Sequence, residues 1–424
     1  MGGIGWTAFA LFCERLISLG QSVYVARQLG AEEFGRYGLV FATTGLIASL
    51  AGLQLGLTAS VHVSKYVRTA PLMAGAVIRL CEIAGLVSTI AAVLFVWCAP
   101  DWVALHLLGG RSYTNVLGVA AVIVLLSVFS GIQDGVLQGF ERFRALAIAR
   151  VGATLVGFLV LLVIGRPGNL DRVLIAITIG AAIRMLAVFA IKEQQWRTHR
   201  LKATIRALWD VRGAIFHFSL PSMLASLLFG VVGWYGMLAV SKTQIGFHGV
   251  AYVTTGQQWQ GTVQFSTAFI ASVAVPMMSR MLHEGDTAAA QHIFRANVLL
   301  NISISTSVAI AICLLSTFIL RAYGPEFTAG YLVFWLIILS TIPNSYIYAV
   351  YQGLVARSQM WRQLWLYAAN GVPLAMGYYV LVPKYGPLGY AMTMLAVNAI
   401  FGLGLFLFTN GNLMPTPASV EDAT

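Results

Sequence analysis

Charge is what this chain has least of. Only 10% of its 424 residues are Asp, Glu, Lys or Arg, where a soluble globular chain carries about 25%. Hydrophobic residues make up 58%, and mean hydropathy is +0.81. So few charges cannot clothe a water-facing surface of this size, which excludes a cytosolic enzyme, a secreted disulfide scaffold and a disordered chain. Cysteine is also scarce. Cys13, Cys81, Cys98 and Cys313 stand singly, with no C-x-x-C pair that would point to zinc or redox work. The seven histidines are scattered without metal-ligand spacing, and no metal or other cofactor is expected. There is no G-x-x-x-x-G-K-[ST] phosphate loop and no dinucleotide fingerprint after a strand. No cleavable signal peptide is expected, because the first apolar stretch begins almost at Met1 and lacks a basic leader. The solvent that remains is the bilayer.

What is present in abundance is apolar runs long enough to cross a membrane, about 20 residues each. They predict an all-α polytopic membrane protein of twelve transmembrane helices. The first six fall at 5–27, 36–60, 74–98, 114–137, 144–165 and 171–191. The second six fall at 214–240, 248–276, 293–319, 328–352, 362–382 and 387–409. The implied organisation is an amino-terminal lobe (1–191), a basic cytoplasmic linker (192–212) and a carboxy-terminal lobe (213–424). The net charge of +11 is spread over the connections between runs, which is a topology signal rather than a nucleic-acid footprint. With the amino terminus inside, about thirteen Lys and Arg fall in inner connections and about eight in outer ones. Both termini are therefore expected in the cytoplasm.

The halves carry matching landmarks. Gly35 and Gly249 open the second span of each half, and Gln138-Gly139 and Gln352-Gly353 close the fourth, each pair 214 residues apart. An even number of spans per half makes this a parallel duplication, and two six-helix lobes around one central cavity are the physical expectation.

Ionisable residues inside a membrane cost at least about 2.5–3.5 kcal/mol at a helix centre, so they are functional candidates by default. Glu14 and Arg15 stand near the middle of the first span. Either each pairs with a neighbouring helix, or Arg15 lines the cavity and Glu14 serves as an ion-coupling site. Arg79, Arg150, Arg184 and Arg295 lie at similar depth on four helices, about 6–10 Å from the inner face at 1.5 Å per residue. They either snorkel to headgroups or form a basic vestibule for phosphate oxygens. Glu82 is spaced to pair with Arg79 on one helix face. Gln257, Gln260 and Gln264 share a face of the eighth span beside Trp259, and Asn297 and Asn301 follow one turn apart in the ninth. Amides beside aromatic rings suit sugar hydroxyls and ring faces, and they equally suit hydrogen bonding between helices. Asp134 reads as an interfacial or inter-helix residue. Pro221 is a hinge candidate near the start of the seventh span.

The run VARQLGAEEFGRYGLVFATTGLIASLAGLQLGLTASVHVSKYVR at residues 25–68 resembles the first helical hairpin of polysaccharide (O-antigen, Wzx-type) flippases, where A-R-x-L-G-x-x-x-F/Y-G-x-Y/F leads into a Gly-rich span. These belong to the multidrug/oligosaccharidyl-lipid/polysaccharide exporter superfamily. The resemblance implies a MATE-like fold and export of a polyprenyl-diphosphate-linked glycan across the bacterial inner membrane by alternating access, with membrane lipids and a proton or sodium ion as further partners and no nucleic acid. Lipid II flippases usually carry an Arg-Asp pair where this chain has Gln21-Ser22, and they have fourteen spans. The alternatives are a multidrug cation antiporter of the same superfamily and, less favoured, a glycan polymerase or ligase. Against the last, Asp101, His106, Asp171 and Glu326 form no catalytic constellation, and no catalytic residue is assigned.

Reporter fusions at Lys65, Arg142, Arg206, Arg280 and Arg357 should all score cytoplasmic. A periplasmic score at Arg206 would overturn the expected topology.

Overall fold

A computed structural model describes residues 2–98, 105, 114–211, 220–357 and 359–408, and among these there is no strand. The helices are α1 (Gly2–Gly52), α2 (Leu55–Tyr66), α3 (Pro71–Cys98), α4 (Thr114–Gly139), α5 (Phe143–Ile164), α6 (Leu170–Thr198), α7 (Ile205–Asp210), α8 (Leu220–Ser241), α9 (Gly246–His283), α10 (Thr287–Tyr323), α11 (Tyr331–Ala356), α12 (Met360–Tyr385) and α13 (Pro387–Phe408). Helix covers nearly all of the described part of the twelve expected segments, the second being interrupted at Leu53 and Gln54. Nine helical segments among the described residues are long and apolar enough to cross a membrane, so the count of twelve is not reached by that measure. α9 and α12 are not among the nine, and both carry polar side chains, Gln257, Gln258, Gln260 and Gln264 on one and Arg362, Gln363 and Asn370 on the other. Outward side chains elsewhere are apolar, with Val163 84% and Leu314 75% exposed, as lipid-facing residues require.

The chain divides into two compact units, residues 1–251 with 322–326, and residues 252–321 with 327–424. In the first, α1 is two helices joined at Gly30, whose φ of 73° is open to glycine and strained for other residues. The break falls in the resembling motif. Its free backbone groups are taken up locally: Ala31 N–H donates to Glu326 Oε1 at 2.7 Å, and Gly168 N–H donates to the Gln28 carbonyl at 2.7 Å. Arg27 Nε donates to the Ala322 carbonyl at 2.7 Å, and Phe34 and Tyr323 pack edge to face, both fully buried. Gly35 lies against the backbone of Phe247 and Ala251, so the segment bearing its counterpart Gly249 packs directly on it. Trp234 on α8 donates to Thr43 on α1 at 3.1 Å.

Small residues let helices of this unit touch backbone to backbone. Gly56 on α2 meets Gly131 and Gly135 on α4, and Gly157 on α5 meets Gly180 on α6. Leu55, Ile78, Ile132, Val136 and Val188 form the apolar interior around the first of these contacts. α6 continues past the expected end of its span to Thr198, because Lys192 is buried and donates to Glu82 Oε1 on α3 at 2.8 Å.

The second unit is held by neutral polar contacts within an apolar interior that includes Met278, Phe294, Val298 and Tyr346. Asn297 on α10 donates to Gln352 Oε1 on α11 at 2.8 Å, Asn301 donates back to Asn297 Oδ1 at 2.9 Å, and Asn370 on α12 donates to Asn398 on α13 at 3.3 Å. Tyr378 and Tyr390 stack with centroids 4.5 Å apart.

A Cβ at Gly135 would stand 1.9 Å from the Gly56 carbonyl oxygen, so Gly135→Ala should destabilise the protein by about 1–3 kcal/mol through overpacking. Gly118→Ala, where a Cβ meets nothing within 4 Å, is the control. Equal melting temperatures of the two variants in detergent would contradict this packing.

Candidate functional site

Inside the first unit the helical ladder breaks a second time. Leu53 (φ 45°) and Gln54 (φ 52°) both take the left-handed conformation between α1 and α2, within the segment expected to be the second span. Two successive non-glycine residues in that region are strained by roughly 1–3 kcal/mol each and persist only where the surroundings hold them. Here α3 and α8 do so: Ser88 Oγ donates to the freed Ala51 carbonyl at 2.5 Å, and Gln54 Nε2 donates to Ser226 Oγ at 2.7 Å. Irregular backbone at membrane depth is tolerated where it lines a cavity, and discontinuous helices recur at transport sites. The break does line one. A cavity of about 460 Å³ opens beside it, with Ser49, Gln54, Ser127, Asp134, Gln138 and Arg150 among its walls.

Two of these wall residues, Asp134 and Arg150, belong to an ionic cluster that extends beyond the wall over four helices. Asp134 on α4 is almost fully buried, and its Oδ2 accepts from Arg150 Nη2 on α5 at 2.9 Å, from Arg150 Nε at 3.2 Å, and from Arg184 Nη2 on α6 at 2.7 Å. Arg184 Nη1 also stands 4.0 Å from Glu14 Oε1 on α1. The two acids and two arginines balance. Asp134 Oδ1 and Arg184 Nε are buried without a protein partner among the described residues, so the cluster keeps one acceptor and one donor unspent.

The sequence-expected residues divide accordingly. Arg150 and Arg184 come together on Asp134 and Glu14 joins through Arg184, while Arg15, next to Glu14 on α1, is partly buried and makes interactions of its own. Arg79 belongs to a different cluster, with its Nη1 2.9 Å from Glu82 Oε2, which shares that carboxylate with Lys192, and its guanidinium 4.7 Å over Trp196. Arg295 lies in the second unit, exposed. Within the first unit, then, Asp134 gathers Arg150 and Arg184, and Glu82 takes Arg79.

In the second unit Gln257 donates to Tyr390 Oη at 2.8 Å, Gln260 is buried and Gln264 is exposed. Trp259 has a buried Nε1 without a partner among the described residues, and Asn297 and Asn301 spend themselves on the ladder to Gln352. Gln257 and Asn297 thus join helices, whereas the Trp259 N–H is left over among the described residues. Pro221 lies in the first turn of α8, directly after residues that fall outside the described ones. Among the described residues no group of three or more His, Cys, Asp or Glu is placed to hold a metal.

The polysaccharide biosynthesis protein family matches residues 1–282, which include the hairpin at 25–68, the broken second helix and the whole ionic cluster. The chain belongs to this family. A curated relative, the EPS I polysaccharide export inner membrane protein EpsE of Ralstonia nicotianae, is 23% identical over 279 residues, a match covering 61% of this chain and 58% of the relative's length. Among solved structures, the lipid II flippase MurJ in an inward closed conformation superposes with a TM-score of 0.74 at 13% identity, covering 95% of this chain and 87% of that one. A multidrug resistance MATE family transporter of the MOP superfamily in its inward-facing conformation gives 0.72 at 16% identity, covering 94% of each chain. At such identities the likeness establishes the fold. This member of the polysaccharide biosynthesis protein family is a multi-helix membrane protein with the fold of those two structures.

Gln54, Ser88 and Ser226 were not singled out in the sequence. The available signal was Gly52 and Gly56 flanking Leu-Gln within one apolar run. Asp134 carried a clearer one, as the sole charge in the 26 residues of α4.

Replacing Asp134 with Asn leaves Arg150 and Arg184 facing each other with no shared anion. Removing one member of a buried ion cluster costs about 3–5 kcal/mol, and removing the uncompensated partner recovers part of it. Asp134→Asn should therefore lower the melting temperature sharply, and Asp134→Asn with Arg150→Gln should regain part of the loss. A double variant less stable than the single one would show that the arginines are not held by Asp134.

Proposed function

We propose that this protein flips a polyprenyl-diphosphate-linked oligosaccharide from the cytoplasmic to the periplasmic leaflet of the bacterial inner membrane, for cell-surface polysaccharide biosynthesis. The task is to carry a hydrophilic glycan and its diphosphate past about 30 Å of hydrocarbon. The observation that carries the reading is the cavity of about 460 Å³ walled by Gln54, Gln138, Asp134 and Arg150 inside a membrane helix bundle. Side-chain amides and hydroxyls there replace the hydration of sugar hydroxyls, and guanidinium groups match phosphate oxygens in a planar fork. The prenyl tail stays in lipid. The family and the export role of EpsE support the same reading.

Alternating access by lobes 1–191 and 213–424, joined through 192–212 and with both termini cytoplasmic, moves the cargo. The protein works as a transporter rather than an enzyme. Glu14, tied to Arg184, is the site at which a proton or sodium ion would couple, and Pro221 the point about which α8 would bend. The charge balance argues against a multidrug cation as cargo. Glu14 and Asp134 are matched by Arg184 and Arg150, and Arg15 adds a positive charge beside them, so the cluster carries no net negative charge to hold a bulky organic cation, although a small ion can still exchange at Glu14.

The test is a leaflet-accessibility assay with labelled polyprenyl-diphosphate glycan in phosphatidylcholine proteoliposomes. Arg15→Gln should cut flipping tenfold or more at normal protein levels. Arg150→Lys should restore only part of the activity lost in Arg150→Gln, because lysine keeps the charge but not the fork. Abundant, folded Arg15→Gln protein with full activity would remove Arg15 from the mechanism, and wild-type protein that moves no glycan would overturn the function.

A further inference from the structure

A second polar concavity lies at the corner where α4 turns into α5. It has a volume of about 250 Å³ and is bounded by Val67, Arg68, Phe140, Glu141, Arg142 and His199. Four helix ends meet there: the end of α2, the end of α4, the start of α5 and the end of α6. Drug-sized ligands occupy roughly 300–1,000 Å³, so this one suits a single headgroup rather than a whole molecule.

Its donors are oriented by the protein and left unspent. Arg142 fixes its guanidinium through Nε, which donates to the buried Gln195 Oε1 at 2.9 Å, and both its terminal nitrogens lack protein partners among the described residues. His199 is stacked nearly parallel on Phe140, with centroids 5.2 Å apart, and neither ring nitrogen has a protein partner among the described residues. Arg68 is tethered only by an exposed ion pair with Glu141 at 3.0 Å, the kind of pair worth at most about 1 kcal/mol. Glu141 itself holds a left-handed φ of 59°, which keeps the corner tight.

The charges bounding the pocket sum to +1 with His199 neutral, the complement of one phosphodiester rather than of a dianion. A planar guanidinium already anchored at Nε presents its remaining edge to two oxygens of a phosphate. Val67 and Phe140 offer an apolar flank to glycerol and the first carbons of an acyl chain. We infer that this pocket docks the phosphodiester headgroup of an anionic phospholipid at the membrane surface. The inference uses the membrane setting of the reading above and is independent of its cargo. A headgroup bound there ties together the ends of the helices that carry Asp134, Arg150 and Arg184. Arg142 is eight residues before Arg150 on α5, about 12 Å along the helix.

The experiment uses the full chain in phosphatidylcholine nanodiscs with a rising fraction of phosphatidylglycerol. Retained lipid is counted by native mass spectrometry, and hydrogen exchange is followed over residues 137–146 and 196–201. Wild-type protein should retain one phosphatidylglycerol and gain protection in both segments. Arg68→Gln with Arg142→Gln should need at least tenfold more of the lipid. Glu141→Gln, which frees Arg68, should need severalfold less, a gain that a folding defect cannot produce. Equal retention by wild type and the double variant, equal retention of phosphatidylcholine or phosphatidylethanolamine, or weaker binding by Glu141→Gln would overturn the assignment. Inorganic phosphate that protects both segments in pure phosphatidylcholine, with no further effect of phosphatidylglycerol, would also overturn it, by making the occupant a soluble phosphate. Flipping in pure phosphatidylcholine proteoliposomes is read separately, so a failed lipid assignment and a failed transport function leave different results.

Discussion

Everything in the first unit depends on the rule that a backbone polar group in hydrocarbon must find a partner within the protein. An unbroken helix obeys it trivially, and a broken one obeys it only where neighbours supply caps. At Gly30 the cap of the following half-helix is the Glu326 carboxylate, and the preceding half ends on the Gly168 N–H. At Leu53-Gln54 the Ala51 carbonyl is capped by the Ser88 hydroxyl, and the Gln54 side chain is tied down by its own bond to Ser226 Oγ. α3 and α8 are therefore fixed relative to the break, and the break in turn sets the cavity wall. The Gly56–Gly135 contact brings α4 close enough for Asp134 and Gln138 to form the opposite wall.

The same scarcity of partners explains why the charges occur in groups. A lone buried ion is prohibitive, whereas a carboxylate that accepts from two guanidinium groups satisfies three N–H bonds with one oxygen. α6 serves two such groups, holding Arg184 on Asp134 and, eight residues on, Lys192 on Glu82. About 12 Å of helix separates the two. Because one helix carries both, a rotation of α6 strong enough to free Arg184 from Asp134 also strains the pair between Lys192 and Glu82. The α6 helix is thus the member of the first unit with the most to lose from turning.

Much of this was open to sequence reasoning, and the residues that escaped it did so for definable reasons. The helical segments followed from apolar run length, and the family from the A-R-x-L-G-x-x-x-F-G-x-Y run, whose residues turn out to build the Gly30 corner: Arg27 on a carbonyl, Phe34 in the interior, Gly35 against a backbone. The break at Leu53-Gln54 left only the faint mark of Gly52 and Gly56 around it, because neither residue is itself Gly or Pro and the partners that hold it, Ser88 and Ser226, are distant in sequence. Lys192 read as the first residue of a polar linker, since periodicity cannot reveal that Glu82 waits on another helix. Arg79, Arg150, Arg184 and Arg295 looked equivalent by depth alone. Depth is a one-dimensional coordinate, and what separates them is which helix face meets an acid.

The two units differ in how their polar residues respond to charge. In the second, Asn297–Gln352, Gln257–Tyr390 and Asn370–Asn398 are neutral pairs between helices, each worth about 0.6 kcal/mol on average in a membrane. Their strength is nearly indifferent to an ion nearby. In the first unit, Asp134 holds Arg150 and Arg184 by an attraction that a competing anion directly weakens, because every N–H given to a new oxygen is withdrawn from Oδ2. A polyanion entering the cavity beside Arg150 therefore changes the energy of contacts that join α4, α5 and α6, while the same group beside the amide pairs changes little. If the cargo is the lipid-linked glycan proposed above, its charged end acts on the ion cluster of the first unit, whereas the amide pairs of the second give it little to pull on.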